Sequence, residues 1–319
     1  MGLCACIILH FADIIYGMNR IIECIPNFSE GRDPIILSAL QKSAESAAGA
    51  ALLDIHIDSD HNRSVFTLAG KPDAVSEAAF ALASAAVRHI DLSKHQGEHP
   101  RMGAVDVIPF VPIKNITMAD CVFLARQLAE RLAHELNLPV FLYEEAATEP
   151  SRKNLADIRR GGFEGMAEKM KILKPDYGKP QPHPTAGAVA VGARKALIAF
   201  NINLNTSDIK IAKAVAKAVR GSSGGLAYCK ALAMYLNERN ITQVSMNLTD
   251  YEQTPIYRVF ELVRAEADRY GVGILGSELV GLAPEKSMLD CAEYFLQLED
   301  SGLQILEHKI EESLSKTGM

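Results

Sequence analysis

Leu226–Leu236 reads LAYCKALAMYL, and the architecture of the second half of the chain turns on it. Alanine and leucine favour a helix, so a strand reading competes closely with local preference. Upstream, ALIAFNINL (Ala196–Leu204) is an apolar run with alternating polar positions. A helix follows in SDIKIAKAVAKAVR (Ser207–Arg220), with Ser207 placed to cap its N-terminus. Downstream, ITQVSMNLT (Ile241–Thr249) reads as a strand, Thr254–Tyr270 as a helix with Pro255 near its first turn, and VGILGSELVG (Val272–Gly281) as a strand. With Leu226–Leu236 as a strand this half is βαββαβ, the split-βαβ or ferredoxin-like order; as a helix it is not.

The first half carries the same order. Strands are expected at Arg20–Pro26, Ala50–Ile57, Ser64–Gly70 and Val105–Pro112, and helices at Pro34–Ala47 and Asp73–His89. A helix from Met118 to Leu136 and the strand-like PVFLYEEA (Pro139–Ala146) follow. Thr148–Arg194, rich in Gly, Pro, Lys and Arg, reads as a long irregular stretch, functional or a linker. Helices at Pro284–Leu298 and Leu303–Ser315 close the chain. The fold expected is α+β, with two tandem ferredoxin-like (βαββαβ) subdomains, residues 19–195 and 196–319. In each, helices cover one sheet face and the other must find a partner. Two bare faces can form a shared groove, and ligand pockets favour domain interfaces.

Of the 319 residues 48% are hydrophobic and 23% charged, as in an ordinary globular protein. A net charge of -6 without a basic block gives no footprint for nucleic acid or an anionic membrane, and favours a small-molecule partner. Cys4, Cys6, Cys24, Cys121, Cys229 and Cys291 are scattered and mostly lie in apolar runs, which fits a reducing cytoplasm. Residues 1–17 are apolar but lack a basic start, contain Asp13 and are too short to span a bilayer. Met18 directly precedes the first strand, so residues 1–18 read as a non-native extension from a misassigned start.

Chemistry concentrates in KHQGEHPRMGAVDVIPF (Lys94–Phe110), a polar connection between a helix and a strand. His99 sits beside Glu98 and two residues before Arg101, and an imidazole titrating near neutrality suits a general acid or base; the bland alternative is a surface histidine. His95 and His99 suggest a metal only weakly, because no third ligand is evident and glycine and proline break the helix face. HIDSDHNRS (His56–Ser64) is a hairpin tip, or a polar rim with Arg63 on a carboxylate. PDYGKPQPHPTAGAVAVGARK (Pro175–Lys195) is a linker, or a pre-ordered wall presenting Tyr177 and His183 to a flat heterocycle. It does not fit a dinucleotide fingerprint. Asn27, Asn201, Asn203 and Asn205 end the first strand of each half, as turn formers or as paired donors and acceptors for a pterin-like ring. Gly221–Gly225, GSSGG, reads as a flexible loop rather than a phosphate cradle.

Taken together, ECIPNFSEGRD, DHNRSVFTLAG, KHQGEHPRMGAVDVIPF, TAGAVAVGARK and AFNINL resemble the glutamate formiminotransferase family, the N-terminal half of formiminotransferase-cyclodeaminase. The resemblance runs from about residue 19 to the early 300s. It implies transfer of a formimino group from N-formimino-L-glutamate to N5 of tetrahydrofolate, in histidine degradation and one-carbon metabolism. It also implies a folate groove between two ferredoxin-like subdomains. The family's catalytic histidine falls on His99, and its folate loop on Gly178, Lys179, Pro180, Gln181, Pro182, His183, Pro184, Thr185, Ala186 and Gly187. Arg63, Arg101 and Arg194 are candidates for substrate carboxylates, and Asn27 and Asn203 for folate. The implied enzyme uses tetrahydrofolate, polyglutamylated, as co-substrate without a metal, and is a cytoplasmic homodimer. It lacks the cyclodeaminase step. The alternatives are formyl transfer or 5-formyltetrahydrofolate salvage in the same groove, and a folate-binding relative without turnover.

Overall fold

A computed structural model describes residues 20–59, 61–96, 101–299 and 304–317. They form two compact units, one ending at Lys195 and the other starting at Ala196. The proposed extension, residues 1–18, lies outside the described residues.

The first unit contains β1 (Ile21–Cys24), β2 (Asn27–Phe28), α1 (Pro34–Glu45), β3 (Ala50–Asp58), β4 (Arg63–Gly70), α2 (Pro72–His89), β5 (Val105–Lys114), α3 (Met118–Glu135), β6 (Val140–Glu144), α4 (Leu155–Arg159), α5 (Gly162–Ile172) and β7 (Val189–Ala193). The strand expected over Arg20–Pro26 ends at Cys24 and resumes at Asn27, because Pro26 has no N–H to give to a ladder. Both pieces lie between β4 and β5, so the sheet runs β3, β4, β1 with β2, β5, β7, β6. Neighbours are antiparallel as far as β5, and β5, β7 and β6 are parallel. Alternation sends Ile22, Cys24, Phe28, Phe66 and Leu68 into a core shared with α1, α2 and α3. Phe28 and Phe66 meet edge to face, 5.3 Å apart. Each such buried ring contributes about 1.5–3 kcal/mol. Asp33 caps α1 by accepting from the Ile35 and Ile36 amides, and Thr117 with Asp120 makes a capping box on α3.

Thr148–Arg194 is not a linker, and it is irregular only over residues 173–188 and short connections. It supplies α4, α5 and β7, all within the first unit. β7 is buried along its whole length and joins β5 to β6, and a parallel strand covered on both faces shows no alternation to read. Its small residues are required by contact: a Cβ at Gly192 would lie 2.5 Å from the Tyr143 carbonyl. α4 and α5 bring Ile158, Met166 and Met170 onto Val107, Phe141, Tyr143 and Ala190. Part of the second sheet face, expected to be bare, is therefore covered by the unit's own helices. The remainder, on β1, β2 and β4, carries Glu23, Asn27, Arg63 and Val65 by alternation from the core residues.

The second unit contains β8 (Ile198–Leu204), α6 (Ile209–Val219), β9 (Cys229–Leu236), β10 (Ile241–Leu248), α7 (Ile256–Asp268), β11 (Ile274–Val280), α8 (Glu285–Leu296) and α9 (Leu306–Thr317). Its antiparallel sheet runs β11, β8, β10, β9, so the element order is βαββαβ. LAYCKALAMYL is a strand from Cys229 onward: pairing with β10 along all of β9, and burial of Cys229 and Ala231, outweigh the helical preference of its residues. Asp208, not Ser207, caps α6, because the helix begins at Ile209 and the Asp208 carboxylate accepts from the Lys210 amide. Phe200, Ile202, Val215, Val244 and Val259 fill the core. On the opposite face Asn203 Oδ1 accepts from Gln243 Nε2 at 2.9 Å, and Asn201 Nδ2 approaches Glu278 at 3.4 Å. Among the described residues no helix is long and apolar enough to cross a membrane.

Candidate functional site

Three of the sequence motifs meet where β2 ends, β3 turns into β4 and β5 begins. Gly31 sits so close to the β3–β4 tip that a Cβ would lie 2.4 Å from the Asp58 carbonyl, which explains glycine in NFSEGRD. The Gly31 amide donates to Asn62 Oδ1 at 2.9 Å, and Asn62 Nδ2 donates to the Gln96 carbonyl at 3.0 Å. Asn62 is buried at φ 49, a left-handed conformation that asparagine tolerates. Arg32 adds bonds from Nε to the Ser59 carbonyl and from NH1 to the Gln96 carbonyl. Asp58 accepts from the His61 amide and pairs with His61 Nδ1 at 2.7 Å. Burial opposes ionisation of Asp58, yet these bonds and the Arg63 charge hold its carboxyl below the ordinary range.

Gly97–Pro100, and with it His99, lies outside the described residues. Both flanks are anchored. On one side Gln96 is bound as above, and His95 Nε2 lies 3.0 Å from the Asn62 carbonyl. On the other side Arg101 Nε donates to His95 Nδ1 at 2.8 Å, while its NH2 donates to the His95 carbonyl and to Glu164 Oε1 at 2.8 Å. This fixes His95 as the neutral tautomer carrying its proton on Nε2, consistent with burial lowering its pKa. Both ring nitrogens are engaged, so His95 has no lone pair left for a metal. Asp106 Oδ1 accepts from the Met102 amide at 2.7 Å, and its other oxygen pairs with Arg159 at 2.5 Å.

The loop Gly178–Gly187 divides between two places. Gly178, Lys179, Gln181, Pro182, His183 and Pro184 line an open cavity of about 480 Å³ with Ala133, His134 and Asn137 at the end of α3. Thr185 and Ala186 turn back to accept from the Leu92 and Ala104 amides. Gly187, at φ +67, packs so closely on Met102 that a Cβ would lie 2.1 Å from its carbonyl. His183 is used by its own turn, with Nδ1 accepting from the Ala186 amide at 3.1 Å, and Tyr177 packs against the core. Pro180 lies between Lys179 and Gln181, whose backbones bond to each other.

Of the other expected site residues, Asn27 and Arg63 share one sheet face in the first unit, with Asn27 Nδ2 donating to the Ile25 carbonyl. Arg194 stands near Glu23, whose pKa burial raises and the Arg194 charge pulls back. Asn203 belongs to the second unit and is bound to Gln243. Asn62, Asp106 and Arg159 were not among the expected site residues. Asp106 had a readable signal, a lone carboxylate in the apolar run AVDVIPF that must find a partner. Arg159 had none, being hidden in the stretch read as irregular.

Residues 21–194 match the family model described as the formiminotransferase domain, N-terminal subdomain, and residues 199–319 match that of the formiminotransferase domain. The chain is 53% identical over 297 residues to a glutamate formimidoyltransferase of Streptococcus pyogenes serotype M1, covering 92% of this chain and 99% of that one. It is 48% identical over 299 residues to a glutamate formimidoyltransferase of Thermoplasma acidophilum, covering 92% and 98%. Against the formimidoyltransferase-cyclodeaminase of Mus musculus it is 42% identical over 309 residues and spans 57% of that protein. The motifs that meet at the β3–β4 tip and the two matched models agree: the chain belongs to the formiminotransferase family.

Proposed function

We propose that this protein is a glutamate formimidoyltransferase, moving the formimino group of N-formimino-L-glutamate to N5 of tetrahydrofolate and releasing L-glutamate. The observation that carries this reading is identity of 53% along 99% of a relative bearing that name. Tetrahydrofolate is the second substrate, with a polyglutamate tail, and the enzyme is a cytoplasmic homodimer.

In this mechanism the N5 lone pair attacks the amidine carbon while His99 takes the N5 proton. The tetrahedral adduct collapses when His99 returns that proton to the glutamate nitrogen and the C–N bond to glutamate breaks. One imidazole thus acts as base and then acid, two roles open to a side chain whose unperturbed pKa lies near neutrality. The anchored flanks support this role, because Asn62, Arg32 and Arg101 hold Gln96 and His95 on the near side of His99, with Arg101 itself on the far side. Arg101 is committed to Glu164 and His95, which leaves Arg63 and Arg194 for carboxylates. Gly178–Gly187, with Asn27, hold the folate.

An assay of purified protein with each donor in turn tests the reading. Formiminoglutamate is expected to support turnover, and 5-formyltetrahydrofolate with glutamate is not. Turnover confined to the formyl donor, or folate binding without turnover, would reject it.

A further inference from the structure

Arg63 is a largely enclosed guanidinium whose Nε is buried without a hydrogen-bond partner among the described residues. Arg159 Nε is in the same condition. The two belong to one cluster. Ser64, next to Arg63, and Val105, next to Asp106, both pair with Phe28 on the central strand, and Arg159 pairs with Asp106. A guanidinium cannot shed its proton, so an enclosed one needs an anion. The neighbouring carboxylates, Asp58 and Asp106, share their charge with Arg63 but direct their oxygens to His61, Arg159 and the Met102 amide, and neither bonds Arg63 Nε. Arg159 keeps 17% of its side chain exposed, so the cluster reaches solvent.

We infer that Arg63 and Arg159 form a two-guanidinium subsite for a carboxylate of a glutamate unit, with Asp106 and Lys169 as positioning residues. The inference rests on the formimino-transfer reading and assigns its carboxylate recognition. A planar carboxylate offers two oxygens to two guanidinium edges, and the two buried Nε–H groups have no hydrogen-bond partner among the described residues. Asp106 orients Arg159 and ties it to the Met102 amide, three residues before β5. Lys169 fixes α4 from the other side, its ammonium donating to the carbonyls of Asp157, Ile158 and Arg160 and so filling the open C-terminal end of a single-turn helix.

The glutamate unit can come from the donor or from the folate tail, and the test separates them. Steady-state kinetics of Arg63→Gln and Arg159→Gln should show KM for one substrate raised about tenfold or more, with kcat changed by less than about threefold. A rise confined to formiminoglutamate assigns the donor. A rise confined to tetrahydrofolate, and absent with a tetrahydropterin lacking the aminobenzoylglutamate tail, assigns the folate. Arg159→Lys, which keeps charge but loses the fork, should fall between intact protein and Arg159→Gln. A second readout needs no turnover. Glutarate should raise the thermal unfolding midpoint of the intact protein but not of either glutamine variant, and Arg63→Gln without ligand should unfold no lower than the intact protein. Turnover with both KM values unchanged in both variants would overturn the inference and leave the function standing. Absence of turnover with the glutarate effect intact would overturn the function and leave the subsite. A lowered midpoint in Arg63→Gln with no glutarate effect on the intact protein would mark the cluster as structural and also overturn the inference.

Discussion

Asn62 joins three segments, the turn after β2, the β3–β4 tip and the approach to the His99 segment, through one buried amide. Asn62→Ala removes both bonds, leaves the Gly31 amide without its acceptor and puts alanine in a left-handed conformation. A loss of about 2–4 kcal/mol is expected, measured by denaturant unfolding; a loss below about 0.5 kcal/mol would show that the junction is held elsewhere. His95 gives a pH prediction. Burial lowers its folded pKa, so the stability it contributes is full above its unfolded value of about 6.5 and is lost as pH falls through the lower folded value. His95→Gln can keep a donor for the Asn62 carbonyl and an acceptor for Arg101 without titrating. Its unfolding midpoint should therefore fall less than that of the intact protein between about pH 7 and about pH 5. Parallel curves would remove His95 from the acid response.

At the scale of elements, the legible parts were those with a clear period. α2 and α3 repeat their apolar residues at helical spacing, β4 and β8 alternate, and the structure has them within a few residues of the expected bounds. β7 was not legible, because a strand buried on both faces gives AVAVGA, small and unpatterned, which beside prolines and glycines reads as loop. With β7 went α4 and α5, and with α4 went Arg159. β9 was legible only through its neighbours, since tertiary pairing decided a residue-level tie. Of the site, the motifs were visible as clusters of polar residues, while their convergence on Asn62 was not, because that depends on Gly31 packing into the hairpin tip. Gly187→Ala probes this level. Its Cβ would collide with the Met102 carbonyl and its φ is +67, so the variant should lose folate affinity by about tenfold or more in a binding titration, or fail to fold. Unchanged affinity in a folded variant would mean the loop's return past Met102 is not needed for folate.

For the whole molecule, each unit has a core of its own, so residues 196–319 expressed alone should unfold cooperatively in denaturant. They should also transfer no formimino group, because the His99 segment and its anchors belong to the first unit. A broad, non-cooperative transition would make that unit dependent on the rest of the chain. The proposed reaction has the intact chain transferring a formimino group with His99 as its base and acid. The most direct test mixes enzyme, tetrahydrofolate and formiminoglutamate in a single turnover, follows 5-formimino-tetrahydrofolate, and repeats the run with His99→Ala at saturating folate. Product is expected from the intact protein, and a rate lower by about 10²–10⁴-fold in the variant with folate still bound. Equal rates in the two proteins would contradict it.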